Sequence, residues 1–433
     1  VVVILLDTLR ADHLGCYGYE RPTSPRLDAF AEEGVRFERV VSSAPWTLPS
    51  VSALLAARYS ERVWEDARLT ESLVEHLQDA GIHTAAFTEG GFVSRHFAHD
   101  RGFREWLETE GAVQLLRPGQ TRDPTKTGGI ETTFERARVW LESVGDRRFF
   151  LFLHTYEPHA PYTHRDFARD LPSGRLDPIY RLEDMEAVQR ERIDLTEAER
   201  AYVTALYDGD ILHSDRHVGR LLDHLERLDL ADRVAVIVTS DHGEELGDHY
   251  PYNTGNHGHA LLDSQLLVPL LLRDPLHEYA RSVVGQQVRL IDVLPTVADL
   301  LEVAPPAGLD GRSLLPLLNG EETEPRFALA GQTKRGPWRI GLRWMGHKYI
   351  RTVPVEQPLL PLEPEPQPIQ LYDLRADPGE RNNLAARRDP LARTLDAMLL
   401  ERHPAIDRGV SPRSVNELDP DLVERLRSLG YLD

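Results

Sequence analysis

The sequence holds a single cysteine, Cys16, in 433 residues, so an intrachain disulfide is excluded. It holds no run of 18 apolar residues, so no segment reads as a membrane-spanning helix. Positive charge is also short: 50 Lys and Arg stand against 70 Asp and Glu, a formal net charge of −20. That balance favours solubility and argues against a nucleic-acid partner, whose binder is normally basic. An anionic small molecule stays open as a substrate, because local field matters more than the total. An initiator methionine is lacking too. The chain starts at Val1 inside an apolar run, so further sequence is expected upstream, where a signal peptide or membrane anchor could lie. What is present is a globular composition, 41% hydrophobic and 28% charged.

Val1–Leu6 is a continuous apolar, β-branched-rich run ending in Asp7, which reads as a strand buried on both faces. Similar runs recur at Thr84–Phe87, Arg148–His154, Val234–Thr239, Leu266–Leu272 and Gln287–Leu290. Helical spacing appears between them at Thr70–Ala80, Glu131–Val144 and Ala198–Leu230. The alternation predicts an α/β fold with a doubly wound, mostly parallel sheet flanked by helices. Ligands of such sheets sit outside the carboxyl ends of the strands. Asp7, the stretch His154 to His159, and Asp241–His242 all lie just past strand ends, so they are expected to meet on one edge. The character changes after Leu318. A hairpin over Arg335–Thr352, a strand at Gln370–Leu374, and helices over Asp389–His403 and Asp419–Gly430 suggest a smaller α+β subdomain. Gln357 to Gln367 is Pro- and Glu-rich and reads as an extended loop. We therefore expect a catalytic domain over 1–318 and a C-terminal subdomain over 319–433.

A carboxylate at the end of a buried strand is costly unless it is paired or binds a cation. Asp7 alone reads equally as a helix N-cap or as a metal ligand. Asp241 and His242, adjacent at another strand end, can both reach one cation, and Gly243 permits a tight turn. An oxygen and imidazole set suits zinc or manganese better than calcium. Four of the 18 histidines fall between His242 and His259, which weakens the reading of a surface His. Thr47 lies in the turn before an apolar helical stretch, Val51–Ala57, near N–H groups that favour an anion. A hydroxyl there, activated by a metal, could be a nucleophile. Ser50 is the better N-cap, which leaves Thr47 available. His159 sits between Pro158 and Pro161, which stiffen its backbone.

These residues resemble the sulfatase family of the alkaline-phosphatase superfamily. Asp7-Thr8-Leu9-Arg10-Ala11-Asp12 with Gly15-Cys16-Tyr17-Gly18-Tyr19 is similar to the family's first block. Pro158-His159-Ala160-Pro161-Tyr162, Ser240-Asp241-His242-Gly243-Glu244-Glu245 and Leu371-Tyr372-Asp373-Leu374 are similar to later blocks, and Leu429-Gly430-Tyr431-Leu432 to the end of many bacterial members. The resemblance implies an alkaline-phosphatase-like fold. It implies Asp7, Asp241 and His242 as metal ligands, Thr47 at the nucleophile position, and His159 and His257 as further active-site groups. Active sulfatases carry Cys or Ser in a C/S-x-P-x-R motif that matures to formylglycine. The corresponding residues here are Thr47-Leu48-Pro49-Ser50-Val51, and Thr8 stands at the second Asp of the usual pair.

The expectation is a metal-dependent sulfatase-like hydrolase with a Thr47 nucleophile, one divalent metal and no formylglycine. Chemistry favours a phosphorus ester over a sulfate ester, because a Thr sulfate lacks the hydrate's route for expelling sulfate. A phosphoethanolamine-type transferase and an inactive sulfatase-fold binding protein are the alternatives. The substrate would be an anionic small-molecule, lipid or glycan ester. The family resemblance points to a periplasmic or extracellular location.

Overall fold

The apolar runs become the strands of one eight-stranded sheet. A computed structural model describes residues 1–402 apart from Asp66, 110–128, 177–178, Pro251, 335–336, 354–366 and Arg388. The loop expected over 357–366, the helix over Asp419–Gly430 and the motif at Leu429–Leu432 lie outside the described residues. The strands are β1 (Val2–Leu6), β2 (Val35–Val41), β3 (His83–Thr88), β4 (Glu105–Glu108), β5 (Phe149–Thr155), β6 (Val236–Thr239), β7 (Leu267–Arg273) and β8 (Ser282–Arg289). Their order across the sheet is β8-β2-β7-β6-β1-β5-β3-β4. All neighbours run parallel except β7, which is antiparallel to both β2 and β6.

Alternation along β1 decides the layering. Val2, Ile4 and Leu6 face one core, with helices α1 (Pro25–Glu32), α4 (Ile130–Val144) and α6 (Glu197–Arg227). Val1, Val3 and Leu5 face the other, with α2 (Thr47–Ala56), α3 (Leu73–Asp79) and Val293–Leu300. A short helix, α5 (Leu182–Arg190), precedes α6. Successive Cβ atoms of a strand point to opposite faces, so an unbroken apolar run serves both layers. Helix starts follow local chemistry: Ser72 and Glu75 form a capping box on α3, and Thr196 and Glu199 another on α6.

A second, antiparallel sheet follows, β9 (Ala328–Ala330), β10 (Trp338–Trp344), β11 (His347–Val353) and β12 (Ile369–Asp373), in sequence order. Met345 and Gly346, both at positive φ, make the tight turn of the β10–β11 hairpin. One face of this sheet packs on the helix Asp389–Arg402. On the other, Ala328, Ala330 and Ile350 pack against Val41 and Ala260–Leu262 of the main body. Among the described residues no helix is long and apolar enough to cross a membrane.

Three details depart from the sequence reading. The strand expected at Gln287–Leu290 begins earlier, at Ser282, and Leu290 belongs to a 3-10 turn. Strand β2 was hidden by its charges, because only Val35, Phe37, Val40 and Val41 are buried in Val35–Val41. Helix α2 starts at Thr47 rather than Val51, with Trp46 as N-cap. Pro49 falls in the first turn, where the missing N–H has no partner to lose. Ser50 is therefore not a cap; its hydroxyl donates to Asp241 O at 2.7 Å and lies 2.9 Å from Ser42 Oγ.

Candidate active site

The parallel register brings three strand ends together. Leu5 of β1 pairs with His154 of β5 and with Thr239 of β6. Asp7, His154 and Asp241–His242 thus emerge side by side on one edge, and all four residues are fully buried. Local structure then aims each side chain. Thr8 sits at φ 58, a left-handed conformation that a β-branched residue adopts only under constraint. The constraint is visible: Tyr207 of α6 donates to Thr8 O at 2.8 Å, and Arg10 N–H donates to the same phenol at 2.9 Å. Just past β6, Ser240 Oγ accepts from Leu9 N–H at 2.9 Å and donates to His242 O at 2.8 Å. Gly243 is required by contact, since a Cβ there would meet Ser264 O at 2.1 Å.

Thr47 is the first residue of α2, which points its positive end at this edge. Its hydroxyl donates to Asp7 Oδ2 at 3.2 Å and lies 3.3 Å from His242 Nε2. His242 Nδ1 lies 2.8 Å from Gly243 O. A carbonyl only accepts, so Nδ1 carries the proton and the Nε2 lone pair faces Thr47 and the carboxylates. His242 Nε2 is 3.6 Å from Asp7 Oδ1 and 3.4 Å from Asp241 Oδ2. Both of those oxygens are buried without a hydrogen-bond partner.

That arrangement is poorly satisfied by the protein alone. Burial, and then the Asp241 carboxylate, push the Asp7 carboxyl well above its usual range. Two buried carboxylates with orphaned oxygens around one imidazole lone pair fit a cation, which would supply the missing partner for each. Asp7, Asp241 and His242 each offer one ligand atom within 4.8 Å of the others.

His159 and His257 stand over this centre. The His257 ring lies 4.4 Å from the His242 ring, tilted at 44°, and 5.0 Å from the His159 ring, edge to face at 74°. Glu244 fixes His257 through Nδ1 at 3.0 Å, and Glu244 in turn accepts from Tyr162 OH at 3.1 Å. His159 Nδ1 is held by Ala160 O at 2.5 Å, and its Nε2 is buried.

The structure places His249 and His259 elsewhere: His249 on Glu245 and Gly379 O, and His259 among Asn253 and Gln265. It also places His154 at the edge where the sequence expected it, and adds Glu89 and Lys334, which the sequence did not single out. His154 Nε2 lies 3.2 Å from Asp7 Oδ2, and burial lowers its pKa to about 4, so it stays neutral. Glu89, just past β3, accepts from Tyr156 N–H at 3.1 Å, and burial pushes its carboxyl up to about 7. Lys334 lies over the Trp46 ring at 5.5 Å and the Phe92 ring at 5.0 Å, beside the start of α2. The parallel register with β1 was a usable signal for His154. Glu89, one residue past β3, carries the same strand-end signal, whereas Lys334 carries none because it reaches the site through an irregular loop.

A family model described as Sulfatase matches residues 1–303. Choline-sulfatase of Rhizobium meliloti (strain 1021) is 26% identical over 451 residues, covering 89% of this chain and 82% of that protein. The multifunctional alkaline phosphatase superfamily protein PehA of Trinickia caryophylli is 29% identical over 330 residues, covering 65% of this chain and 60% of that protein. Among solved structures, the phosphonate monoester hydrolase of Agrobacterium radiobacter superposes with a TM-score of 0.69 at 21% identity, covering 94% of this chain and 95% of that one. A protein solved with its substrate D-glucosamine-2-N,6-O-disulfate superposes with a TM-score of 0.73 at 20% identity, covering 97% of this chain and 99% of that one.

Proposed function

Because the chain belongs to the sulfatase family, we propose that it is a metal-dependent ester hydrolase with Thr47 as nucleophile and a phosphorus ester as preferred substrate. The observation that carries this is the Thr47 hydroxyl, held between Asp7 and His242 at the N-terminus of α2. Asp7, Asp241 and His242 would hold a divalent cation, zinc or manganese in preference to calcium, which when bound lowers the pKa of a hydroxyl and screens an anionic ester. Thr47 Oγ1 passes its proton to Asp7 Oδ2, to which it already donates, and attacks the phosphorus in line, forming an O–P bond as the leaving oxygen departs; the proton returns to Thr47 when the ester is resolved. His159 or His257, protonated on Nε2, donates to that oxygen. Water then resolves the Thr47 ester, with the same imidazole taking its proton. The N–H groups of the first turn of α2 stabilise the anionic oxygens.

Phosphorus is favoured because a sulfate on Thr has no internal route of release, whereas a phosphoryl ester yields to water. The phosphonate monoester hydrolase and choline-sulfatase relatives show that both ester classes occur around this chain. The test is turnover of aryl phosphate, phosphodiester, phosphonate monoester and aryl sulfate by the native chain, Thr47→Ser and Thr47→Ala. Thr47→Ala is expected to lose at least about 10³-fold in kcat on every ester, with Thr47→Ser retaining part of it. Unchanged turnover by Thr47→Ala removes the nucleophile. A native preference for the sulfate removes the substrate assignment.

A further inference from the structure

A second group of metal-ligating side chains lies away from the Thr47 centre, on the helices that cover the other face of the sheet. His213 and His217 are one turn apart on α6, so both project from one face of it. Glu131, in the first turn of α4, brings Oε1 to 3.0 Å from His213 Nε2 and 3.9 Å from His217 Nε2. Glu157, from the loop after β5, brings Oε1 to 3.9 Å from the same His213 nitrogen. Glu131, His213 and His217 offer ligand atoms within 4.8 Å of one another, as do Glu157, His164 and His213.

We propose that this cluster is a second, structural divalent-metal site of the zinc type, built on His213, His217 and Glu131 with Glu157 as a further oxygen ligand. The spacing carries it. A tetrahedral zinc with ligands at roughly 2.0–2.2 Å sets them about 3.4 Å apart; the Glu131–His213, Glu131–His217 and Glu157–His213 pairs stand at 3.0, 3.9 and 3.9 Å, and Glu157 would close on the ion from its present contact with His164 Nδ1 at 3.3 Å. His164 plays a different part. Its Nδ1 lies 2.7 Å from the buried Asp210 carboxylate, to which it donates, so that nitrogen has no lone pair for a metal. Its ring instead stacks on His213 at 4.0 Å and 17°, which holds the His213 plane in position. His217 is buried. Glu131 is half exposed, which gives an ion a way in. Two carboxylates balance a divalent charge, and a mixed imidazole and oxygen set suits zinc.

The ion would tie three separate pieces of chain: α4, α6 and the loop after β5. That loop carries His159 two residues beyond Glu157, so the site would brace the active-site loop from behind without touching substrate.

The test uses the full chain with Asp241→Asn, which disables the metal set at the sheet edge, stripped by a chelator and titrated with zinc. One zinc equivalent per chain is expected by elemental analysis, lost in Asp241→Asn/His213→Gln/His217→Gln. Cobalt(II) added to the Asp241→Asn chain is expected to give the visible absorption of a tetrahedral nitrogen and oxygen site. This second readout stands if the triple variant does not fold. Absence of bound zinc and of that absorption in the Asp241→Asn chain overturns the proposal, as does zinc retained by a folded triple variant. Because the readout is metal content, its failure leaves the Thr47 assignment untouched.

Discussion

The edge of the sheet and the face of the helices hold similar side chains in opposite states of satisfaction. At the sheet edge, Asp7 and Asp241 are fully buried, and each keeps an oxygen with no partner. On the helix face, Glu131 is half exposed, and it accepts from His213. The first set is frustrated until something cationic arrives. The second is content as a hydrogen-bonded group and only offers a metal better geometry. A buried orphan is costly, whereas an exposed pair contributes little either way. The difference teaches that unsatisfied buried charge is concentrated at the sheet edge.

The comparison can be broken most severely at the sheet edge. His257→Gln should lower kcat by about 10²–10⁴-fold on esters with poor leaving groups and much less on nitrophenyl esters, which need little protonation. An equal loss on both would mean that His257 positions substrate and does not donate a proton. Glu89 tests the same frustration through pH. Its folded-state carboxyl titrates at about 7 against an ordinary 4.5, so folding favours its protonated form. The stability it contributes is full below about 4.5 and lost as pH rises through 7. Glu89→Gln stays neutral, so urea melts at pH 5 and pH 8 should differ less than in the native chain, by up to about 3 kcal/mol. An unaltered difference would show that Glu89 is ionised in the folded protein.

A smaller effect has opposite signs in the two regions. In metal-free protein, Asp241→Asn removes repulsion from Asp7 and should raise stability by about 1–3 kcal/mol while abolishing turnover. His213→Gln in the same conditions should lower it by about 0–1 kcal/mol, because its Glu131 partner is solvent-screened. Denaturant midpoints of the two chelated variants decide this. A fall for both would end the distinction between a frustrated and a satisfied cluster.

Much of this was legible in the residues because burial on both faces leaves a plain mark. Val1–Leu6 and Arg148–His154 are apolar without alternation, and they became the centre of the sheet. Strand β2 was illegible for the converse reason: Arg36, Glu38 and Arg39 interrupt a strand near the sheet margin. The reversed direction of β7 leaves no local trace, since its direction comes from the path of the connecting chain. At the site, the residues on strand ends could be placed from sequence because register aligns them. Ser50 was misassigned as a cap because Pro49 looked like a residue before a helix when it lies within the first turn. Lys334 arrives from a loop ahead of β10, and no spacing rule reaches that far.

The central place of β1 has a consequence for the birth of the chain. One side of its ladder waits for Leu151 and the other for Val236. At ribosomal speeds of about 5–20 residues per second, that interval is on the order of ten seconds or more. Throughout it, a strand destined for the dry middle of the sheet stands bare in water. Its unpaired backbone and row of Val, Ile and Leu are the kind of surface chaperones bind. The same arrangement that gathers Asp7 beside His154 and Asp241 therefore makes the pairing of β1 long-range, the kind of contact that closes late.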